Sequence, residues 1–336
     1  MKKETKIKLL LIAIFIVIAL VAVEITLRFT YMPPQVGGYP EELFISDAEL
    51  GYRLNPSFEG SFGGRYEEVS LKINERGLRD DPHEYKKPED TIRILALGDS
   101  VTMGAGVPFA EVYLNKLEDH YNKEGKEIEI INAGVNGYEL TQIYSYYKNE
   151  VYKYDPDIVL MSIVLNDIFE PNTTQLEYFV DNYNYIAKPD EGLELFVKKA
   201  CYTCVFTYSL FLNYNDVYIE EVINAWQDKE KFRSYKEKVI ELNQNLSSSD
   251  KKLILVIFPY TPQFENYLNS SRDPQEKIKS MALEQDIAVI DLLPHLDKPG
   301  YHSEYIPQDT VHLNIAGNSH VEKILYEELN KLGVLS

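Results

Sequence analysis

The chain has 336 residues, enough for one large domain or two modest ones, and its 45% apolar and 26% charged content is that of a folded globular protein. A formal net charge of −19 argues against a nucleic-acid backbone as partner, because phosphate binding needs a basic face. Two cysteines exclude a disulfide framework and a four-cysteine zinc site.

The N-terminus carries Lys2, Lys3, Lys6 and Lys8, and Leu9–Val23 is then apolar without interruption. Extended to Phe29 the run reaches membrane-spanning length, with Glu24 and Arg28 at the outer interface. Residues 1–29 are therefore expected to form a cytoplasmic tip and a single transmembrane anchor, with everything after it extracytoplasmic at the cell membrane. A cleaved signal peptide is the rival, but no good small-x-small site stands around Ala19–Glu24. Residues 30–90 read as a linker (Tyr31–Pro34, Gly37–Pro40) and a small β-rich appendage. This stretch holds Gly51, Gly60, Gly63, Gly64 and Gly77, and an alternating strand at Val69–Ile73. Within it Asn74–Arg79 is expected to be a loop packed beside the main sheet, with a place on the rim of a site as the alternative. The run Lys86–Asp90 marks the boundary to a main domain of residues 91–336.

From Thr91 onward apolar runs alternate with helical periods. The runs are Ile92–Leu97, Ile128–Ile131, Ile158–Leu165, Leu253–Phe258 and Ala288–Leu292. Helical stretches fall at Val112–Tyr121, Gln142–Tyr152, Tyr235–Leu246, Pro274–Gln285 and Ile315–Leu332. This pattern predicts an α/β fold with a parallel five-stranded sheet covered on both faces, in flavodoxin-like strand order. The connection from Leu165 to Leu253 is too long for a simple crossover and holds an insert at about residues 170–235. Its middle, Leu193–Tyr218, is rich in aromatic residues, either a lid or substrate-binding wall or a helical subdomain with its own core. Cys201 and Cys204 are open to a disulfide, buried thiols or a redox pair. Three sequons, at Asn172, Asn245 and Asn269, are compatible with export.

Chemistry-bearing residues collect where the strands end, the edge at which open α/β sheets bind ligands. Ser100 follows the first strand behind Gly98, which permits a sharp turn. Asn132–Gly137 (NAGVNG) follows the second, Asn166-Asp167 ends the third, and Asp309 and His312 lie after the fifth. A hydroxyl becomes a nucleophile when a neutral imidazole takes its proton, and the imidazole needs a carboxylate to hold its tautomer. Donors for an oxyanion would be the Ser100 N–H, a glycine N–H of the second loop and the Asn166 amide. Singly each residue has a plainer reading, as helix cap, turn residue or surface histidine. Jointly, in this order, they point to acyl transfer.

The four blocks Gly98-Asp99-Ser100, Asn132–Gly137, Asn166-Asp167 and Asp309-x-x-His312 resemble those of the SGNH hydrolases, also called GDSL esterases and lipases. The resemblance runs from about Thr91 to the C-terminus, parts of the insert excepted, and implies a three-layer sandwich. It makes Ser100 the nucleophile, His312 the base and Asp309 its orienter, with Ser100, Gly137 and Asn166 as the oxyanion hole and Gly134 a substitute for Gly137. Val164 and Leu165 stand where the family often has glycines. A GxSxG elbow is absent, since Thr102 occupies its second glycine position. The function expected is a membrane-anchored extracytoplasmic serine esterase with an acyl-ester substrate, removing acyl groups such as acetyl from surface glycans or a lipid. Its acyl-enzyme chemistry needs neither metal nor organic cofactor. The alternatives are an O-acyltransferase acting on exported polysaccharide with the same triad, or a non-catalytic glycan-binding or assembly protein.

Overall fold

A computed structural model describes residues 3–30, 40, 42–62, 68–169, 201–211, 214–264, 272–297, 299–307 and 309–335. Contacts divide the chain into two compact units, one of residues 1–37 with 187–218 and one of 38–186 with 219–336. The linker before Pro40, the insert before Cys201, and the sequons at Asn172 and Asn269 lie outside the described residues.

In the first unit a helix runs over Lys3–Thr30. From Glu4 it is 27 residues long, with a mean hydropathy of 3.0 in its most apolar window and none of that window buried. At ~1.5 Å per residue it exceeds the ~30 Å hydrocarbon core of a bilayer. It is long and apolar enough to cross a membrane, a test of length and composition that a signal sequence also passes. The unit also holds a helix over Tyr202–Phe211. Cys201 and Cys204 are joined as a disulfide at its start, which decides among the three readings of that pair.

The second unit opens with two antiparallel hairpins. The first pairs β1 (Phe44–Asp47) with β2 (Gly51–Leu54), and the second pairs β3 (Glu59–Phe62) with β4 (Val69–Lys72). The main sheet follows: β5 (Ile92–Gly98), β6 (Ile128–Gly134), β7 (Ile158–Ile163), β8 (Lys252–Ile257) and β9 (Ala288–Asp291). All are parallel, in the order β6-β5-β7-β8-β9, the flavodoxin-like order expected from the sequence. The central strands are continuous apolar runs because both faces are covered, so every residue of β7 is buried. Helices Tyr113–Lys123 and Ile315–Leu332 pack together on one side, and Leu140–Asn149 and Lys229–Ser247 on the other. The chain steps one way from β5 to β6 and the other way from β6 through β9, and right-handed crossovers in opposite directions place their helices on opposite faces.

Two strand ends differ from the sequence expectation by more than one residue. β6 continues three residues beyond Ile131 to Gly134, because it pairs with β5 through to Gly98. β7 stops at Ile163, two residues early, because the Asp167 carboxylate accepts the Val164 N–H (2.9 Å) and turns the chain into a short 3-10 helix over Leu165–Ile168. Asn245, in the one described sequon, sits on the helix Lys229–Ser247 with its amide directed at the Tyr144 hydroxyl.

Candidate active site

β5 ends at Gly98, and a four-residue helix begins at Ser100 (Ser100–Met103). Asp99 caps it, its carboxylate accepting the Val101 N–H at 2.9 Å. A side chain at Gly98 would place a Cβ 2.1 Å from Thr102 Oγ1, so the glycine is needed for close approach of the turn to the strand. Gly134 plays the same part from the neighbouring strand, where a Cβ would lie 2.3 Å from the Met103 nitrogen. Ser100 thereby emerges at the carboxyl edge of the sheet, 8% exposed.

His312 comes to it from the far end of the chain. The loop is pinned by Thr261 N–H to Thr310 O (2.9 Å), Ile306 N–H to His312 O (2.9 Å), and an antiparallel bridge of Tyr305 with Leu313. One Asp309 oxygen accepts the N–H groups of Val311 and His312, each at 2.9 Å, in an Asx turn. That turn swings the His312 ring back onto the other oxygen, with Nδ1 2.9 Å from Oδ2. The opposite ring nitrogen, Nε2, lies 2.8 Å from Ser100 Oγ across 212 positions of sequence. Serine, histidine and aspartate thus form one chain of hydrogen bonds, with 18% of the His312 side chain and 9% of that of Asp309 exposed.

The electrostatics follow from this contact. Burial raises Asp309, but the His312 charge and three accepted hydrogen bonds outweigh it and hold the carboxyl well below the usual carboxylate range. Burial lowers His312, yet the Asp309 charge and hydrogen bond, with the Asp99 charge behind them, leave it above the ordinary imidazole value. Asp99, next to Ser100, and Asp167 are themselves buried. Burial raises both, and the Asp99 charge pushes Asp167 higher still.

Of the predicted oxyanion donors, the Ser100 N–H, the Gly137 N–H and the Asn166 side-chain amide make no hydrogen bond among the described residues. Gly137 is exposed and Asn166 half-buried, at the ends of strands that flank β5. Gly134 is excluded as the substitute, since its N–H is held by Asn132 Oδ1 at 3.0 Å. Val164 and Leu165, in place of glycines, are core residues with no exposure, and Asn166 after them is half-buried.

Several positioning residues have no sequence motif. The Tyr260 hydroxyl donates to Asn166 Oδ1 (2.8 Å), which turns the amide NH₂ away from it. The buried Trp226 indole donates to the Leu165 carbonyl (2.7 Å), just before Asn166. Arg79, 1% exposed, donates to the carbonyls of Met103 (3.0 Å), Gly104 (2.5 Å) and Val107 (2.7 Å), clamping the chain that leaves Ser100. Asp80 accepts the Asn132 N–H (2.7 Å), and the Tyr52 hydroxyl donates to the Asn136 carbonyl (2.8 Å). Asn74–Arg79 is therefore a packed loop that supports the site from behind. Tyr260 was the one within reach of sequence reasoning, because it follows the end of β8 on the same edge. Among the described residues no group of three or more His, Cys, Asp or Glu is placed to hold a metal ion.

A search of solved structures finds similar folds. A protein described as lipolytic, of the G-D-S-L family, from Desulfitobacterium hafniense DCB-2 is 14% identical, covering 69% of this chain and 99% of its own, with a TM-score of 0.42. The lipase/acylhydrolase from Enterococcus faecalis is 15% identical over 71% and 96%, with a TM-score of 0.44. The psychrotrophic esterase EstA from Pseudoalteromonas sp. is 16% identical over 73% and 98%, with a TM-score of 0.44. No curated protein matches the chain. The sequence model of the GDSL-like lipase/acylhydrolase family matches residues 96–319, more than half the chain, and includes Ser100, Asn166, Asp309 and His312. The chain belongs to that family, the SGNH or GDSL-type ester hydrolases.

Proposed function

We propose that this chain is a membrane-anchored serine esterase whose catalytic unit faces the extracytoplasmic side and removes small acyl groups, acetyl foremost, from surface glycans or lipids. The observation that carries the chemistry is the 2.8 Å approach of Ser100 Oγ to a His312 ring braced by Asp309. In this reading Ser100 Oγ attacks the ester carbonyl carbon as its proton passes to His312 Nε2. The oxyanion is met by the N–H groups of Ser100 and Gly137 and the Asn166 amide, each worth about 10²–10³ in rate. Collapse expels the alcohol, which takes the proton from His312, and leaves an acyl-Ser100 ester. Water then attacks that ester, gives its proton to His312, and the carboxylic acid departs as Oγ regains a hydrogen.

Orientation rests on the four lysines before the apolar helix, which favour a cytoplasmic N-terminus. The domain division proposed is an anchor of residues 1–29, a linker and β appendage of 30–90, and the hydrolase domain of 91–336 with its insert. A fluorophosphonate probe tests the chemistry on the full-length protein in detergent. Ser100 is expected to be labelled, p-nitrophenyl acetate to be turned over, and both to vanish in Ser100→Ala. Labelling that persists in the variant would remove the reading. Turnover that stays slow until a glycan acceptor is added would redirect it to acyl transfer.

A further inference from the structure

The helix Lys3–Thr30 carries an acidic group, Glu24, directly after its unbroken apolar run. A carboxylate at the edge of a membrane span is costly unless it has partners, and its partner marks what the span is built to hold. Glu24 accepts the Tyr202 N–H at 3.0 Å and both the N–H and the hydroxyl of Thr203 at 2.8 Å. Arg28, one turn on, donates to Glu24 (2.9 Å) and lies 4.9 Å from the centre of the Tyr202 ring.

These contacts fall where the helix Tyr202–Phe211 begins. The first N–H groups of any helix lack intrahelical partners and favour a negative charge, a need normally met by a preceding side chain. Here a carboxylate 178 positions away in sequence meets it, and the two helices pack against each other. The capped helix, YTCVFTYSLF, has no charged residue. Its ten residues reach about 15 Å, half the ~30 Å hydrocarbon core, so it can enter one leaflet but not cross. The Cys201–Cys204 disulfide ties the turn at its start, and disulfides persist on the oxidising side of a membrane.

We infer that Tyr202–Phe211 is a second membrane-inserted element, seated at the outer-leaflet interface beside the Glu24 end of the anchor and docked there by Glu24 and Arg28. The partner proposed for this uncharged helix is lipid. This stretch of the insert is in this view part of the membrane attachment and gives the enzyme a two-point hold on the bilayer. The inference rests on the anchor reading of residues 1–29 and is independent of the chemistry at Ser100.

The test is photolabelling of the full-length protein, reconstituted in phosphatidylcholine–phosphatidylglycerol vesicles, with a phospholipid bearing a diazirine in its acyl chain. Mass spectrometry of the peptides is expected to find lipid adducts on both Leu9–Val23 and Tyr202–Phe211. Adducts on the anchor alone would overturn the inference while leaving the anchor standing, and adducts on neither would overturn both. Glu24→Leu, which keeps the span apolar, is expected to cut labelling of Tyr202–Phe211 about fivefold, the scale of one lost cap, with anchor labelling unchanged. Thr203→Val, removing one of the three contacts, is expected to act in the same direction. Undiminished labelling in both variants would overturn the docking role of Glu24.

Discussion

At Asp309 one carboxylate oxygen folds the backbone and the other meets the His312 ring, so the spacing of three residues is itself the device that aligns the imidazole. In the proposed mechanism the charge beside the ring also sets when it can act. A general base works only when neutral, and His312 is raised above the ordinary imidazole value of about 6.5. The acid limb of kcat/KM for p-nitrophenyl acetate is therefore expected above pH ~6.5, with activity rising as pH rises through it. Asp309→Asn removes the charge that raises His312, so the limb is expected to move to lower pH. The same change is expected to lower kcat by about 10⁴, because the ring loses its tautomer and orientation. A pH profile that keeps its acid limb in the variant would assign the limb to another group.

The elements that hold the site are the sheet edge and, less expectedly, the loop Asn74–Arg79. Asn74 Oδ1 accepts the N–H groups of Arg76 (2.9 Å) and Leu78 (3.0 Å), a turn that aims Arg79 inward at the three carbonyls after Ser100. Replacing Arg79 by Ala leaves those carbonyls without their buried donor. A loss of about 2–4 kcal/mol is expected in urea unfolding with the slope unchanged. Arg79→Lys is expected to recover only part of it, because one ammonium cannot reproduce the guanidinium fork. A loss below ~0.5 kcal/mol in Arg79→Ala would show that the clamp is not needed for folding.

Across the whole second unit, the appendage is joined to the sheet through a buried charge network. His83 lies 2.7 Å from Glu129 on β6 and 3.3 Å from Asp80, and Glu129 also pairs with Arg93 on β5 at 2.6 Å. Burial lowers His83, but its two carboxylates outweigh this and raise it to about 10. A histidine raised in the folded state contributes stability that is complete below its unfolded value of ~6.5 and is lost as pH climbs through the folded value. Thermal unfolding is thus expected to move to lower temperature between about pH 7 and 10, a loss on the order of 3–5 kcal/mol. His83→Gln should be less stable near neutrality and lack that slope. A wild-type melting temperature that stays flat to pH 10 would contradict the network.

The order of strands, the place of Ser100 after the first of them, and the pairing of Asp309 with His312 were readable from the chain alone. Apolar runs, glycines and a three-residue spacing are local signals, and parallel connectivity leaves few ways to assemble them. The Arg79 clamp, the Tyr260 contact to Asn166, the commitment of the Gly134 N–H to Asn132 and the seating of Glu24 on a helix 178 positions away were not. Each joins groups remote in sequence, with a donor whose residue type alone has many possible acceptors. Only folding, which decides which carbonyls and carboxylates are buried beside which side chains, selects among them.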